Sequence, residues 1–172
     1  MVLGLSLSTF TALHVAISLV GLASGALVLK DMLRSRLAAG LTAVFLVTTA
    51  ATSVTGFCFP SKSLGMGHLI GSLSLVILVP TLIALYQHRL AGPWRGLYAA
   101  GATALLYLNV FIFVAQVLAK SARIQVLAPP YFGTQLVVLT IFVVLGVLAL
   151  RRFHPGAPAL THIRIHLPPA PV

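Results

Sequence analysis

Acidic residues are almost absent from this sequence. Asp31 is the only carboxylate among 172 residues, and charged residues of both signs make up only 7% of the chain. Proton- and sodium-coupled transporters commonly use buried Asp or Glu side chains as relays or ion ligands, and this chain has none within its apolar runs. The hydrolase motifs HExxH and GxSxG and the glycine-rich phosphate loop are also missing. These absences argue against soluble-enzyme chemistry and against carboxylate-driven transport.

Cysteine is equally scarce. Cys58 is the only one, so the chain cannot form an internal disulfide bond, and the CxxCH signature of covalent haem attachment is missing.

The formal net charge of +10 comes from Lys and Arg residues dispersed at the ends of apolar runs. No stretch interleaves basic and aromatic residues as a nucleic-acid groove does, so we expect no nucleic acid partner. Anionic lipid headgroups are the expected counterpart of this charge, with an acidic partner protein as the alternative.

Long apolar runs make up most of the remaining sequence. Hydrophobic residues account for 59% of the chain, and the mean hydropathy is +1.09. A helix needs about 20 apolar residues to cross the hydrocarbon core. The sequence therefore predicts five spans, near residues 9–29, 37–58, 65–87, 96–119 and 131–150. Strand-like alternation is absent from these runs. The predicted fold class is all-α, a polytopic transmembrane helical bundle that forms one domain over residues 1–152.

Basic residues predict the orientation of this bundle. Eight fall on one side of the predicted spans: Lys30, Arg34, Arg36, Arg89, Arg95, Arg151, Arg152 and Arg164. Three fall on the other: Lys62, Lys120 and Arg123. Because positive charge favours the cytoplasmic side, we expect an N-out, C-in arrangement in a bacterial inner membrane. Residues 153–172 are rich in proline and small residues, so they are expected to form a cytoplasmic tail that does not order alone.

Two histidines within apolar runs are the main candidate functional residues. His14 and His68 begin the similar stretches HVAISL and HLIGSL, which suggest a weak parallel repeat. In the N-out arrangement both lie within about two turns of the outer surface, on spans that run in the same direction. Helical spacing places Ser18 on the face of His14, and Gly71 and Ser72 on the face of His68. The pattern predicts that the two imidazoles meet at one site.

Two neutral imidazoles that face each other can coordinate one metal ion axially, and haem b is the common membrane cofactor held in this way. We therefore interpret His14 and His68 as candidate metal ligands, and Ser18, Gly71 and Ser72 as candidate cofactor contacts. Nearby Thr or Ser hydroxyls could receive the other ring N–H. In this hypothesis the chain is a haem b electron-transfer subunit, with quinone as one electron partner. The alternative is that each histidine only bonds a neighbouring helix, which contributes about 1 kcal/mol or less.

Two further functions fit the same sequence. A cofactor-free structural or assembly subunit of a larger respiratory or photosynthetic complex fits the lack of an extramembrane domain, and other membrane subunits would then be its partners. A small-molecule transporter or channel could use the threonines of the second span and the amides Asn109 and Gln116 to line a polar path. Gln135 lies near the start of the fifth span with no assigned role. Gly21 and Gly25 are interpreted as intramolecular packing residues.

The succession of LHVAISLVGLASG, ATSVTGFCFP, GHLIGSLSLV, RLAGPWRGLYAAGA and YLNVFIFVAQ resembles small uncharacterised bacterial multi-pass membrane proteins. This resemblance extends over nearly the whole chain. It implies a multi-pass membrane fold and brings no assigned activity. In the pairing of His14 and His68 on two spans, the chain is also distantly similar to membrane b-type cytochromes, although it lacks their pattern of two histidines per helix.

Overall fold

The computed structural model of the chain describes residues 2, 4–60, 65–120 and 129–155. Its helices are α1 (Leu7–Leu33), α2 (Ala39–Gly56), α3 (Met66–Leu82), α4 (Trp94–Lys120) and α5 (Pro129–Arg152), and a π-helical segment, Ile83–Gln87, continues α3. All five helices are long and apolar enough to cross a membrane, which confirms the predicted helical class and number of spans. Most of the predicted tail, residues 156–172, lies outside the described residues.

Local sequence accounts for several helix ends. The Ser6 hydroxyl accepts a hydrogen bond of 3.2 Å from the Thr9 N–H, which satisfies one of the free donors at the start of α1. At the other end of α1, Ser35 adopts a φ of 57°, and this left-handed residue turns the chain toward α2. Proline precedes α4 and opens α5, where a missing N–H costs no helical hydrogen bond.

The first four helices form a four-membered array, and α5 packs outside it. Helix α1 packs against α2 and α4, helix α3 packs against the same two helices, and α5 packs against α4 and α1. Helices α1 and α3 therefore occupy opposite corners. The largest fully buried side chains, among them Met32, Phe45, Tyr98, Leu105 and Phe153, lie toward the end where α1 and α5 finish. The tightly packed core is at this end of the bundle.

Glycines of α1 and α4 allow neighbouring helices to approach closely. A Cβ atom on Gly25 would lie 2.7 Å from both Phe45 and Leu106, and one on Gly21 would lie 3.0 Å from the Thr48 hydroxyl. Both glycines of the Gly21–Gly25 motif thus face α2, which supports its interpretation as intramolecular packing. On α4, Gly101 contacts α3 so closely that a Cβ atom there would overlap the Thr81 hydroxyl.

Most of the described basic residues gather at one end of the bundle, which we call the basic end, whereas Lys120 ends α4 at the opposite end. Here α1 and α5 finish, and the His154 N–H donates a hydrogen bond of 2.8 Å to the Ser35 hydroxyl between them. Seven of the eight residues used to predict orientation lie at this end: Lys30, Arg34, Arg36, Arg89, Arg95, Arg151 and Arg152. The eighth, Arg164, lies outside the described residues, as do Lys62 and Arg123. The structure thus groups these charges, while their side of the membrane stays a prediction.

Candidate functional site

A cavity of about 600 Å³ lies among α1, α2, α3 and α4 at the end of the bundle opposite the basic end. Its volume is within the range of about 300–1,000 Å³ that is usual for small-molecule sites. Consecutive helices are antiparallel, so α1 and α3 contribute their first turns and α2 and α4 contribute their last. Aliphatic and aromatic side chains supply much of the wall, and polar groups converge on it: His14, Ser18, Thr52, His68, Asn109 and Gln116.

The structure brings four of the five predicted site residues to this cavity. His14, Ser18, His68 and Gly71 line it, whereas Ser72 does not and is exposed on α3. The reason is helical phase: the lining face of α3 runs through Gly67, Gly71 and Ser74, and Ser72 lies on the opposite flank of His68. Ser74, which is 3% exposed, stands in the wall instead.

The two histidines consequently occupy different flanks of their helices. The lining face of α1 continues from His14 to Val15, Ser18 and Leu22, which follow it at one, four and eight positions. The residues of α3 that line the cavity stand at positions −1, +2, +3 and +6 relative to His68; they are Gly67, Ile70, Gly71 and Ser74. The similarity of HVAISL and HLIGSL therefore does not extend to the faces that line the cavity. A pseudo-twofold axis would require equal phases on the two helices.

His14 is held in one tautomer by α2. Its Nδ1 lies 2.8 Å from the Thr55 hydroxyl oxygen, and that hydroxyl donates its single proton to the Ala51 carbonyl at 2.7 Å. With the Thr55 proton directed at this carbonyl, Nδ1 of His14 is assigned as the donor in the contact between the two side chains. In the neutral ring Nε2 then carries a lone pair and no proton. His14 can therefore accept a hydrogen bond or coordinate a metal ion through Nε2.

His68 has the opposite tautomer. Its Nδ1 accepts a hydrogen bond of 3.3 Å from the Gly65 N–H, so the side chain caps the first turn of its own helix. A neutral ring that accepts at Nδ1 carries its proton on Nε2. The Nε2 of His68 therefore carries a proton, whereas the Nε2 of His14 carries a lone pair.

Two phenylalanines after α2 position these rings. Phe59 meets His14 edge to face with ring centroids 5.1 Å apart, and Phe57 meets His68 with centroids 5.5 Å apart. Neither aromatic residue, nor Thr55 as the specific partner of His14, could be assigned from the sequence, because each depends on how the end of α2 turns between α1 and α3. The only local signal is the segment TGFCF, in which a threonine and two phenylalanines fall at the end of the second span.

The amides of the bundle divide between packing and lining. Asn109 lines the cavity and also donates a hydrogen bond of 3.0 Å to the Thr49 hydroxyl of α2. Gln116 lines the cavity. Gln135 does not: its Nε2 donates to the Phe111 carbonyl at 3.2 Å, and its buried Oε1 has no hydrogen-bond partner among the described residues. Asn109 therefore both joins α4 to α2 and lines the cavity.

Metal binding at this site would have to rely on few protein ligands. Within residues 2, 4–60, 65–120 and 129–155, no group of three or more His, Cys, Asp or Glu side chains could hold an ion. Zinc sites usually need at least three such ligands, whereas haem iron needs only one or two from the protein. The donor set at the cavity therefore does not fit a zinc site, and its two histidines are the residues to test against haem.

Comparison with known proteins identifies no relative: no family model, no curated protein and no solved structure matches the chain. The similarity to b-type cytochromes thus stays a prediction based on His14 and His68.

Proposed function

We propose that this multi-pass membrane protein binds one lipophilic ligand in its cavity, with His14 as the main polar contact, and that the ligand is haem b serving electron transfer. The observation that carries the proposal is that His14 and His68, 54 positions apart, line the same cavity of about 600 Å³. A ligand between opposite corners of the array could touch both side chains. Haem b would supply one-electron chemistry.

The environment of His14 supports its role as an axial ligand. Histidines that bind metal usually donate the other ring N–H to an oxygen, which orients the ring and raises its basicity. The contact between His14 Nδ1 and Thr55 provides this arrangement. The half-buried imidazole also meets the edge of Phe59, which restricts its rotation. His14 is thus oriented before any ligand binds.

His68 could complete the coordination only after a local change. Its Nε2 would have to lose the proton and its Nδ1 would have to gain one, so Nδ1 could no longer accept from Gly65. The Gly65–His68 contact is long and exposed, and a hydrogen bond of this kind contributes about 1 kcal/mol. In this proposal, coordination by His68 would release the cap at the start of α3.

An absorption spectrum of protein expressed with ample haem tests this proposal. We expect a Soret band, and α-bands on reduction, that disappear in His14→Ala and shift to a five-coordinate spectrum in His68→Ala. His88→Ala is the matched control, because His88 stacks on Trp94 between α3 and α4 and does not line the cavity. A colourless wild-type protein would rule out haem and would leave the structural-subunit and transporter hypotheses open.

A hydroquinone is the second candidate ligand, and the His68 tautomer favours it. With Nδ1 of His68 engaged by Gly65, His14 is the one of the two rings with an available lone pair, and a ligand hydroxyl could donate to it. If the protein is colourless but binds a quinol in detergent, His14→Ala should abolish that binding. His68→Ala should weaken it only modestly, because the Nδ1 lone pair of His68 is engaged by the Gly65 N–H.

We also propose that the cavity end faces the outside of a bacterial inner membrane and that the basic end faces the cytoplasm. Cys58 allows a direct test, because it is the single cysteine, is partly exposed and follows α2 at the cavity end. In intact spheroplasts, a membrane-impermeant maleimide should label Cys58, and a Cys58→Ser variant should remove the label. Labelling that occurs only after the membrane is permeabilised would reverse the orientation.

A further inference from the structure

Four arginines surround one contact at the basic end. Arg34 and Arg36 flank Ser35 in the turn after α1, and Arg151 and Arg152 are the last residues of α5. The hydrogen bond from the His154 N–H to the Ser35 hydroxyl, 2.8 Å long, joins the two chain segments. All four arginines are exposed. We call them the arginine cluster.

Buried neighbours hold the two segments of the cluster in place. Phe153, directly after Arg152, is fully buried and packs against Tyr98 with ring centroids 5.6 Å apart. Met32, two residues before Arg34, is 1% exposed. Each pair of arginines is thus attached to a core side chain. The fold therefore fixes the backbone positions of the two pairs, from which the exposed arginine side chains extend.

The acidic side chains of this protein do not balance the positive charge of the arginine cluster, so an anion from outside the chain could bind there. Asp31 is the only carboxylate of the sequence, so one acidic group stands near four guanidinium groups. The carbonyl ends of α1 and α5 contribute only partial negative charge, equivalent to roughly half an elementary charge each. Each guanidinium group carries several donors in a planar fork that matches phosphate oxygens. The Ser35 hydroxyl, which accepts from His154, also keeps its own proton to donate.

The position of the cluster indicates which phosphate would be present. Arg34 and Arg152 directly follow or end apolar helices that are long enough to cross a bilayer, so their side chains lie at the level of lipid headgroups. We propose that Arg34, Arg36, Arg151 and Arg152 form a binding site for the phosphate of an anionic phospholipid such as phosphatidylglycerol. The site is independent of the cavity, so loss of one leaves the other intact.

Lipid retention by the full-length protein tests the proposal. The protein is purified from mixed phosphatidylcholine and phosphatidylglycerol, and the bound lipid is measured by native mass spectrometry. We expect the wild type to retain phosphatidylglycerol selectively. The paired variants R34Q/R36Q and R151Q/R152Q should each weaken retention about thirtyfold, from about fivefold per arginine. R34K/R36K should restore part of the loss, because lysine keeps the charge without the planar fork.

The matched control is R89Q/R95Q, which removes the same charge from the same end of the bundle but outside the cluster. Retention close to wild type in this control supports a defined site. An equal loss in this control would mean that the whole basic end attracts lipid, which would overturn the proposal. Binding of inorganic phosphate by the detergent-solubilised protein, without selective retention of phosphatidylglycerol, would identify a site for free anions and would also overturn it. Circular dichroism verifies that each variant is folded.

Discussion

Replacing His14 with alanine is expected to abolish ligand binding at the cavity while the bundle stays folded. His14 is the cavity side chain whose Nε2 carries a lone pair, whether the ligand is haem or a quinol. The change removes one interhelical hydrogen bond, which costs about 1 kcal/mol or less, and alanine favours the helix. Titration with ligand, followed by absorbance for haem or by equilibrium dialysis for a quinol, should show no saturable binding.

A milder variant tests the orientation of His14 separately from its contact with the ligand. Thr55→Val keeps His14 but removes the oxygen that accepts from Nδ1, so the ring loses its fixed tautomer and orientation. Loss of such a partner typically lowers affinity about 10–100-fold. Ser72→Ala is the control, because Ser72 does not line the cavity. Binding that is unchanged in both His14→Ala and Thr55→Val would refute the proposed site. Neither the histidine that contacts the ligand nor the threonine that orients this histidine would then matter.

Replacing Gly101 with alanine is expected to lower the free energy of unfolding by about 1–3 kcal/mol, the usual cost of overpacking. The added methyl group would overlap the Thr81 hydroxyl and lie 3.2 Å from the Thr81 Cβ. Thr81 has little freedom to move away, because it is 1% exposed and its hydroxyl donates to the Ile77 carbonyl at 2.7 Å. Equilibrium unfolding in mixed micelles, followed by circular dichroism, measures the change.

The same substitution on α5 provides the matched control for Gly101→Ala. Gly133 is helical and exposed, and a Cβ atom there would meet nothing within 4 Å. Gly133→Ala should therefore be neutral or stabilising by up to about 1 kcal/mol through helix propensity. Thr81→Ala should recover part of the stability lost in Gly101→Ala, because it removes the hydroxyl that the new methyl group overlaps. If the effects of Gly101→Ala and Thr81→Ala on the free energy of unfolding simply add in the double variant, the close contact between α3 and α4 is not the cause of the destabilisation.

The five helices could be predicted from the sequence because membrane spans depend on local length and composition. About 20 apolar residues in a row cannot leave their backbone groups unpaired in lipid, whatever the neighbouring helices are. The observed helices extend the predicted spans 9–29 and 131–150 to Leu7–Leu33 and Pro129–Arg152. The added residues include the charged Lys30, Asp31, Arg151 and Arg152, which hydropathy discounts and which nonetheless continue the helices.

The lining of the cavity was predictable only in part. Depth along a span follows from counting residues, and this was sufficient to place His14 and His68 at the same end. Which flank of each helix faces the interior depends on how the helices rotate against one another. The sequence therefore indicated Ser72, whereas Ser74 lines the cavity. Gln135 is separated from the amides that face the cavity because α5 packs outside the four-helix array.

The sequence alone was enough to predict a helical membrane bundle with most of its basic residues at one end and the two histidines toward the other. Those properties come from the sum of many residues along each span, so no single contact can alter them. The opposite tautomers of His14 and His68 depended on the fold. A ring nitrogen becomes donor or acceptor according to the atom it meets, and those atoms are the Thr55 hydroxyl of another helix and the Gly65 N–H at the start of the same one.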